Sequence, residues 1–322
     1  MSVKYDVLAH LENHRGEILS GAVLARDLRV TRNSVWKAIN SLREDGYRIE
    51  GVTNAGYTML SSNDLLSAQS IQKYLCEEVY KLRVFSTIDS TNTALKKMAS
   101  EGAVEGTVLI AEEQTAGKGR LGRTFVSPRK TGLYMSILLR PQFSVEESLC
   151  ITTAAAVAVA EVIEEISGKE TKIKWVNDIY LNDKKVCGIL TEASINFENG
   201  GLEYAVLGIG INAVLPNSGF PEGVAAVAGA VWDEAVPDEG RSKLAAGIIK
   251  KFFAYYQKIP DRSYIEKYRK RSFLADKQVT MVVGSREETG IVMDIDSEAR
   301  LVVRLLNGAI EAFSAGEANI KK

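Results

Sequence analysis

The chain has 322 residues, of which 46% are hydrophobic and 25% charged, and its net charge is −1. That length allows two or three domains with a large core, and the even charge balance argues against a protein that coats nucleic acid, although a local patch can still bind it. Three scattered cysteines without a CxxC pair argue against disulfides or structural zinc, and two histidines, His10 and His14, confine histidine chemistry to the first turns of the chain.

No apolar run approaches the roughly 18 residues of a membrane span. The start, MSVKYDVLAH, has no signal-peptide core, so the chain is expected in the cytoplasm, with no membrane partner. Tyr5, Val7, Leu8 and Leu11 have helical apolar spacing. SGAVLARDL comes next as a short helix with Ser20 as its N-cap. After a turn at Arg29-Val30, Thr31 caps RNSVWKAINSLREDG, which Gly46 ends. Val35, Ile39 and Leu42 share a face of that helix, while Arg32, Asn33 and Lys37 point outward. YRIEGVTNAGYTML then reads as a hairpin. Two short helices, a tight turn and a hairpin make a winged helix-turn-helix over residues 1–64, with the helix-turn-helix at about Gly21 to Asn40. Six Lys/Arg against three Asp/Glu lie between Arg26 and Arg48. Arg32, Asn33, Ser34 and Lys37 are the residues placed to reach base edges and phosphates. SSNDL after Leu60 reads as the linker.

Residues 65–271 read as a second domain. A helix over Leu65–Tyr74 precedes a strand, Leu82–Ile88, and then Asp89-Ser90-Thr91-Asn92 leads into a helix. Such residues serve equally well as an N-cap or as polar groups turned into a pocket. GTVLIAEE is a buried strand that feeds QTAGKGRLGR, with three glycines and three cations in ten residues. From Gln114 to Val145 there are six Lys/Arg and no Asp or Glu. Glycines at this spacing let backbone N–H groups approach anionic oxygens, so a phosphate or carboxylate ligand is the first inference. Gly117-x-Gly119-x-x-Gly122 has the dinucleotide spacing and Gly117-x4-Gly122-Arg123-Thr124 mimics a P-loop. Both motifs must open a helix, whereas the next segment, RTFVSPRKTGLYMSILL, carries Pro128 and Gly132 and runs into a strand. The loop therefore joins strand to strand. Glu146–Gly168 is a long alanine- and valine-rich helix. KIKWVNDIYLNDKKVCGILTEASI and LEYAVLGIGINA are strands, with turns at Asn182-Asp183 and Asn199-Gly200-Gly201. A largely antiparallel sheet flanked by helices is predicted. Lys185 precedes the apolar run VCGIL, which turns its cation inward if the register is right. Residues 272–322 give short strands at Lys277–Val283, Thr289–Ile295, Arg300–Leu305 and Ala309–Phe313, as in a small SH3-like barrel. The fold class is α+β throughout.

QTAGKGRLGR resembles the GRGRxGR loop of biotin–protein ligases. DSTN, KWVND, KKVCGIL and GIGIN match that family's other motifs in order, and the N-terminal winged helix resembles its bifunctional ligase/repressors. The resemblance implies an ATP-dependent enzyme. It would make biotinyl-5′-AMP from biotin and ATP with Mg2+, then pass biotin to a lysine of a biotin carboxyl carrier protein. The adenylate would also be the corepressor that drives a homodimer onto operator DNA of biotin genes. By resemblance Ser90, Thr91, Asn92 and Gln114 hold biotin's ring. Lys118, Gly119, Arg120 and Lys185 hold its carboxylate and the phosphates. Arg120, Lys185 and Asp178 are the catalytic set. Arg123, Phe125, Lys174, Asn177 and Asn212 complete the ATP and adenylate contacts. For Asn177 and Asp178 the resemblance leaves two roles open, binding magnesium or helping the incoming lysine lose a proton, with Asp178 the candidate metal side chain.

Two residues depart from the family pattern. Lys118 stands where arginine is usual, replacing a bidentate contact by a point charge, and Phe125 stands where some members have tryptophan near adenine. The competing readings are a lipoate–protein ligase, which shares the adenylation chemistry, a ligand-sensing transcription factor without catalysis, and a ligase whose winged helix no longer represses.

Overall fold

The computed structural model describes residues 3–53, 55–60, 64–75, 80–142, 148–195 and 201–321. The start of the long helix at Glu146, most of the turn at Asn199-Gly200-Gly201, most of the SSNDL linker and Cys76 lie outside the described residues. The chain divides into two compact units, residues 1–79 with 236–247, and residues 80–235 with 248–322.

In the first unit, α1 (Val3–Asn13), α2 (Gly21–Asp27) and α3 (Arg32–Glu44) precede a hairpin of β1 (Ile49–Val52) and β2 (Gly56–Met59), and α4 (Ala68–Leu75) comes after it. Ser20 caps α2 through Ala22 N and Thr31 caps α3 through Ser34 N. Val35, Ala38, Ile39 and Leu42 bury one face of α3 against Val7, Leu8, Leu11 and Leu24. Arg32, Asn33 and Lys37 are exposed on the opposite side, and Ser34 is half-buried beside Thr31. Residues 236–247 join this unit through charge. Glu239 takes Lys73 Nζ at 3.1 Å and Arg15 Nη2 at 3.3 Å, and the buried Arg241 donates to Asp64.

The second unit is built on a seven-stranded sheet of order β3-β4-β5-β9-β8-β7-β6. Its elements are β3 (Lys81–Phe85), α5 (Thr91–Ser100), β4 (Thr107–Ala111), β5 (Gly132–Leu139), α6 (Ser148–Ser167), β6 (Lys172–Lys174), β7 (Asp178–Leu181), β8 (Lys184–Ile195), β9 (Leu202–Asn212) and the short α7 (Glu222–Ala225). Among the described residues of this sheet only β3 and β4 pair in parallel; α5 supplies the crossover between them. β4 and β5 are buried along their whole length, as is most of α6, whose alanines and valines let it lie close against neighbours. α8 (Gly240–Tyr256) lies in both units, and α9 (Ile265–Lys270) comes after it. The glycine-rich loop joins β4 to β5 with a single 3-10 turn at Arg120–Gly122, the strand-to-strand connection that the sequence predicts.

The C-terminal part is a five-stranded antiparallel sheet of order β13-β12-β11-β10-β14. Four strands, β10 (Gln278–Val283), β11 (Arg286–Ile295), β12 (Leu301–Leu305) and β13 (Ile310–Phe313), match the predicted runs. A fifth, β14 (Glu317–Ile320), pairs with β10 where the sequence reading gives no strand. EANI is too short and mixed to announce a strand, and long-range pairing decides it.

Candidate active site

The site begins at the N-terminus of α5. Ser90 serves as the N-cap, its Oγ accepting from Thr93 N at 3.4 Å, so Thr91 and Asn92 are free to turn into the sheet. Both are buried, as is Ser136 on β5. Thr91 N donates to Gln114 Oε1 at 2.8 Å, which fixes the first residue of the glycine-rich loop over the helix terminus. Ser90, Thr91, Asn92, Gln114, Lys118 and Phe125 line one cleft, floored by Gly188, Gly208 and Gly210 of β8 and β9.

The glycines have specific tenants. A Cβ on Gly208 would lie 2.3 Å from Asn92 Oδ1, and one on Gly210 would lie 2.6 Å from the Phe125 ring. GIGIN therefore makes room for two side chains of the site. Gly117 serves the loop itself: a Cβ there would meet Phe125 O at 2.4 Å and Ser127 Oγ at 2.7 Å. Phe125 N donates to Gly117 O at 2.9 Å and Gly119 N to Arg123 O at 2.7 Å, so these amides close the loop on itself. Leu121, between them, is exposed with φ 53°.

A second group of residues gathers beside the cleft, and the hairpin of β7 and β8 places it. Asn182 and Asp183 both have positive φ, 46° and 58°, the pattern of a two-residue hairpin turn. A bulge between Ile179 and Tyr180 then pairs Tyr180 with Lys185 while Asp178 still faces Gly188. Without the extra residue, Lys185 and Cys187 would share a face. With it, Cys187 enters the core and Lys185 joins Asp178. Lys185 Nζ stands 2.6 Å from Asp178 Oδ1. This is ion-pair distance, but off the hydrogen-bonding direction, since Oδ1 accepts no directed hydrogen bond among the described residues. Gly188 marks the junction with the cleft: a Cβ there would be 3.3 Å from both Lys185 Cε and the Phe125 ring.

Arg120 reaches this group from the loop, donating to Asn177 Oδ1 at 2.9 Å and to Gly316 O at 3.0 Å. Asn177 is oriented by donating its own amide to Ile189 O at 2.9 Å. Arg123 pairs with Glu317 at 2.6 Å, so residues just before and at the start of β14 hold two cations of the loop. Burial pushes the Lys174 ammonium below its usual pKa, and the charges of Lys185 and Arg123 add to that against Asp178 and Glu317. Burial also pushes the Cys187 thiol well up, which leaves it un-ionised and unreactive.

The predicted residues thus fall into a polar cleft and an adjoining cationic group. Asn212 stands apart from both sets of hydrogen bonds, donating to Gly229 O at 2.9 Å. Residues that the sequence patterns do not single out are Ser127, Ser136, Glu192 and Glu317. A serine in the middle of the apolar run LYMSILL was the available signal for Ser136; nothing local marks Glu317.

Three family profiles match: "Biotin/lipoate A/B protein ligase family" over residues 84–212, "HTH domain" over 4–58, and "Biotin protein ligase C terminal domain" over 276–319. The "Bifunctional ligase/repressor BirA" of Bacillus subtilis (strain 168) is 34% identical over 259 residues, 80% of this chain and 78% of that one. Its namesake in Escherichia coli (strain K12) is 29% identical over 323 residues, 99% and 98% of the two chains. Among solved structures, the biotin protein ligase of Aquifex aeolicus in complex with biotin and ATP aligns with a TM-score of 0.63 and 26% identity, over 75% of this chain and 99% of that one. The chain belongs to the biotin–protein ligase family, with the bifunctional ligase/repressors as its relatives along nearly the whole length.

Proposed function

We propose that the protein joins biotin to a carrier-protein lysine at the expense of ATP, and that it represses biotin genes when biotinyl-5′-AMP is bound. The observation that carries the ligase reading is the adjacency of a polar cleft, suited to a ring with N–H and C=O groups, to a cluster of cations. In the first step the biotin carboxylate attacks the α-phosphate of ATP, and pyrophosphate leaves. In the second a carrier lysine, as the free amine, attacks the acyl carbon of the mixed anhydride; an amide forms and AMP leaves. Neither step needs a protein nucleophile. The first needs two anionic groups held together and the second needs the negative charge on the departing AMP stabilised; Lys185, Arg120 and Lys118 supply the positive charge at the mouth of the cleft.

Lys185 is the residue placed to bridge carboxylate and phosphate oxygens. In the ligand-free arrangement its charge is held by Asp178, so substrate anions would displace that contact and leave the Asp178 carboxylate near the reacting atoms. Asp178 is then positioned to take the proton of the incoming lysine. Among the described residues there is no group of three or more His, Cys, Asp or Glu side chains fit to cage a metal. Asn177 and Asp178 would be the side chains to hold magnesium beside the nucleotide phosphates, where it would neutralise their charge. Phe125 offers an aromatic face between cleft and cations, and Arg123 and Lys174 are outer phosphate contacts. We read the domains as residues 1–64 for DNA, 65–271 for catalysis and 272–322 as the C-terminal barrel.

For the repressor role, α3 presents Arg32, Asn33 and Lys37 to solvent at its N-terminal half, the arrangement of a recognition helix. The adenylate would promote a homodimer and so pair two such helices on a two-fold operator. The enzymatic reading is tested by transfer of labelled biotin to a carrier domain. Incorporation that requires ATP is the expected result; ATP-independent or absent incorporation overturns it. A gel shift on a biotin-operon promoter, expected only with biotin and ATP together, tests the second role.

A further inference from the structure

One large apolar side chain stands out of α3 into solvent. Trp36 is 53% exposed, whereas the two other tryptophans, Trp175 and Trp232, are 3% and 9% exposed. An indole left in water forgoes a large apolar contact, and tryptophan is the residue most often found as the anchor where a partner covers a surface.

The setting of Trp36 identifies the partner. Val35, Ala38, Ile39 and Leu42 take the inner face of α3, so Arg32, Asn33, Trp36, Lys37 and Asn40 share the outer one, at i, i+1, i+4, i+5 and i+8. The indole is thus set among two cations and two amides. The single carboxylate of the helix, Glu44, is its last residue, about two turns further on, and Asp45 just beyond is held by Lys4 at 2.6 Å. Arg43 is committed to the hairpin, donating to Ile49 O at 2.8 Å and lying 6.0 Å from the centre of the Tyr57 ring. An apolar protein surface laid here would bury these cations and amides unpaired, at a cost. The major groove of DNA instead offers phosphates to the cations, base edges to the amides and, on thymine, a methyl group to the indole.

We infer that Trp36 is a sequence-reading residue of α3, packing its indole on the C5-methyl group of a thymine in the major groove of the operator. The inference rests on the reading of the chain as a repressor, and it adds an apolar, base-specific contact to the polar ones of Arg32, Asn33 and Lys37. Adenine, guanine and cytosine carry no methyl group in that groove, so the contact discriminates where a phosphate contact cannot.

The test is gel-shift titration of the full chain, with biotin and ATP, on biotin-operon promoter duplexes whose thymines are replaced one at a time by deoxyuridine. The replacement removes one methyl group and keeps the base pair. At the contacted thymine, wild type should lose about fourfold in affinity, the worth of one buried methyl group. Trp36→Ala should bind the unmodified operator about tenfold more weakly and lose nothing further with deoxyuridine, since both changes delete one contact. Reduced salt keeps its affinity in a measurable range. Trp36→Phe should recover part of the sensitivity. Wild type indifferent to deoxyuridine at every position overturns the inference, as does Trp36→Ala that keeps the wild-type loss. A Trp36→Ala defect equal on operator and unrelated duplex also overturns it, by placing the indole on the sugar–phosphate backbone. Should Trp36→Ala fold poorly, acrylamide quenching of wild type decides. Trp36 carries the accessible emission, because the other two indoles are buried. Bound operator should shield it, and emission that stays fully quenchable in the complex overturns the inference. Wild type that shifts no operator duplex overturns the repressor reading itself, and the contact falls with it.

Discussion

Single side chains govern how the two halves of the site meet. Lys185 reaches Asp178 only because of the bulge in its hairpin, and under the proposed function it is the cation that bridges carboxylate and phosphate. Lys185→Ala should lower adenylate formation by ~10²–10³-fold, the usual effect of removing one stabiliser of developing charge. Pyrophosphate release measures it, and the thermal midpoint should move little because the side chain is half-buried at the site. Gly208 is the steric counterpart. A Cβ there would lie 2.3 Å from Asn92 Oδ1, so its absence makes room for the Asn92 amide, and Asn92 is held at both ends by Glu192 and Ser136. Gly208→Ala must push that amide away, and overpacking of about 1–3 kcal/mol should appear as a biotin KM raised about tenfold or more. Titration of biotin binding by calorimetry checks the direction.

At the scale of elements, α6 is tied to the segment around α9 by charge. Glu164 accepts from Arg271 at 2.6 and 3.0 Å and from Thr171 Oγ1 at 2.7 Å, and Glu161 accepts from Lys267 at 2.8 Å. Burial raises the pKa of Glu164, but the hydrogen bonds from Arg271 and Thr171 outweigh it and hold the carboxyl below its ordinary 4.5. A carboxyl depressed in the folded state contributes its stability in full above the unfolded value, and loses it as pH falls through the folded value. Glu164→Gln should therefore unfold at lower temperature than wild type at neutral pH, with the gap closing as the solution is acidified below about pH 4.5. Thermal melts at several pH values track it, and a gap independent of pH would assign the loss to packing instead. The N-caps behave as their sequence suggests. Thr31→Ala should cost α3 about 1 kcal/mol by leaving Ser34 N without its acceptor, measured by chemical denaturation.

For the whole molecule, the proposed function links the winged-helix unit and the catalytic unit only through ligand-dependent dimerisation. Operator binding should then require both biotin and ATP, and it should weaken steeply with salt. Lys37→Ala, on the exposed face of α3, should lower affinity for every operator sequence alike. The slope of log affinity against log salt should flatten by about one. A sequence-selective loss would place Lys37 on a base edge rather than a phosphate.

Local chemistry wrote much of this molecule plainly. Caps at Ser20, Thr31 and Ser90, the Asn182-Asp183 turn, the apolar strands and the strand-to-strand cationic loop all depend on neighbours a few residues away, so periodicity and turn preferences report them. The motif residues Ser90 to Asn92, Gln114 and Lys118 were legible as a set for the same reason, since each lies in a short distinctive run. Tertiary structure alone decided which partners those residues take. β14 exists because β10 offers it an edge, and Glu317 meets Arg123 across 194 positions of chain. Ser136 and Glu192 enter the site because strand pairing turns one face of β5 and β8 toward α5. No local pattern encodes such contacts, because they are made by register and by the closure of long loops, and it is these contacts that determine where the protons and charges of the site are held.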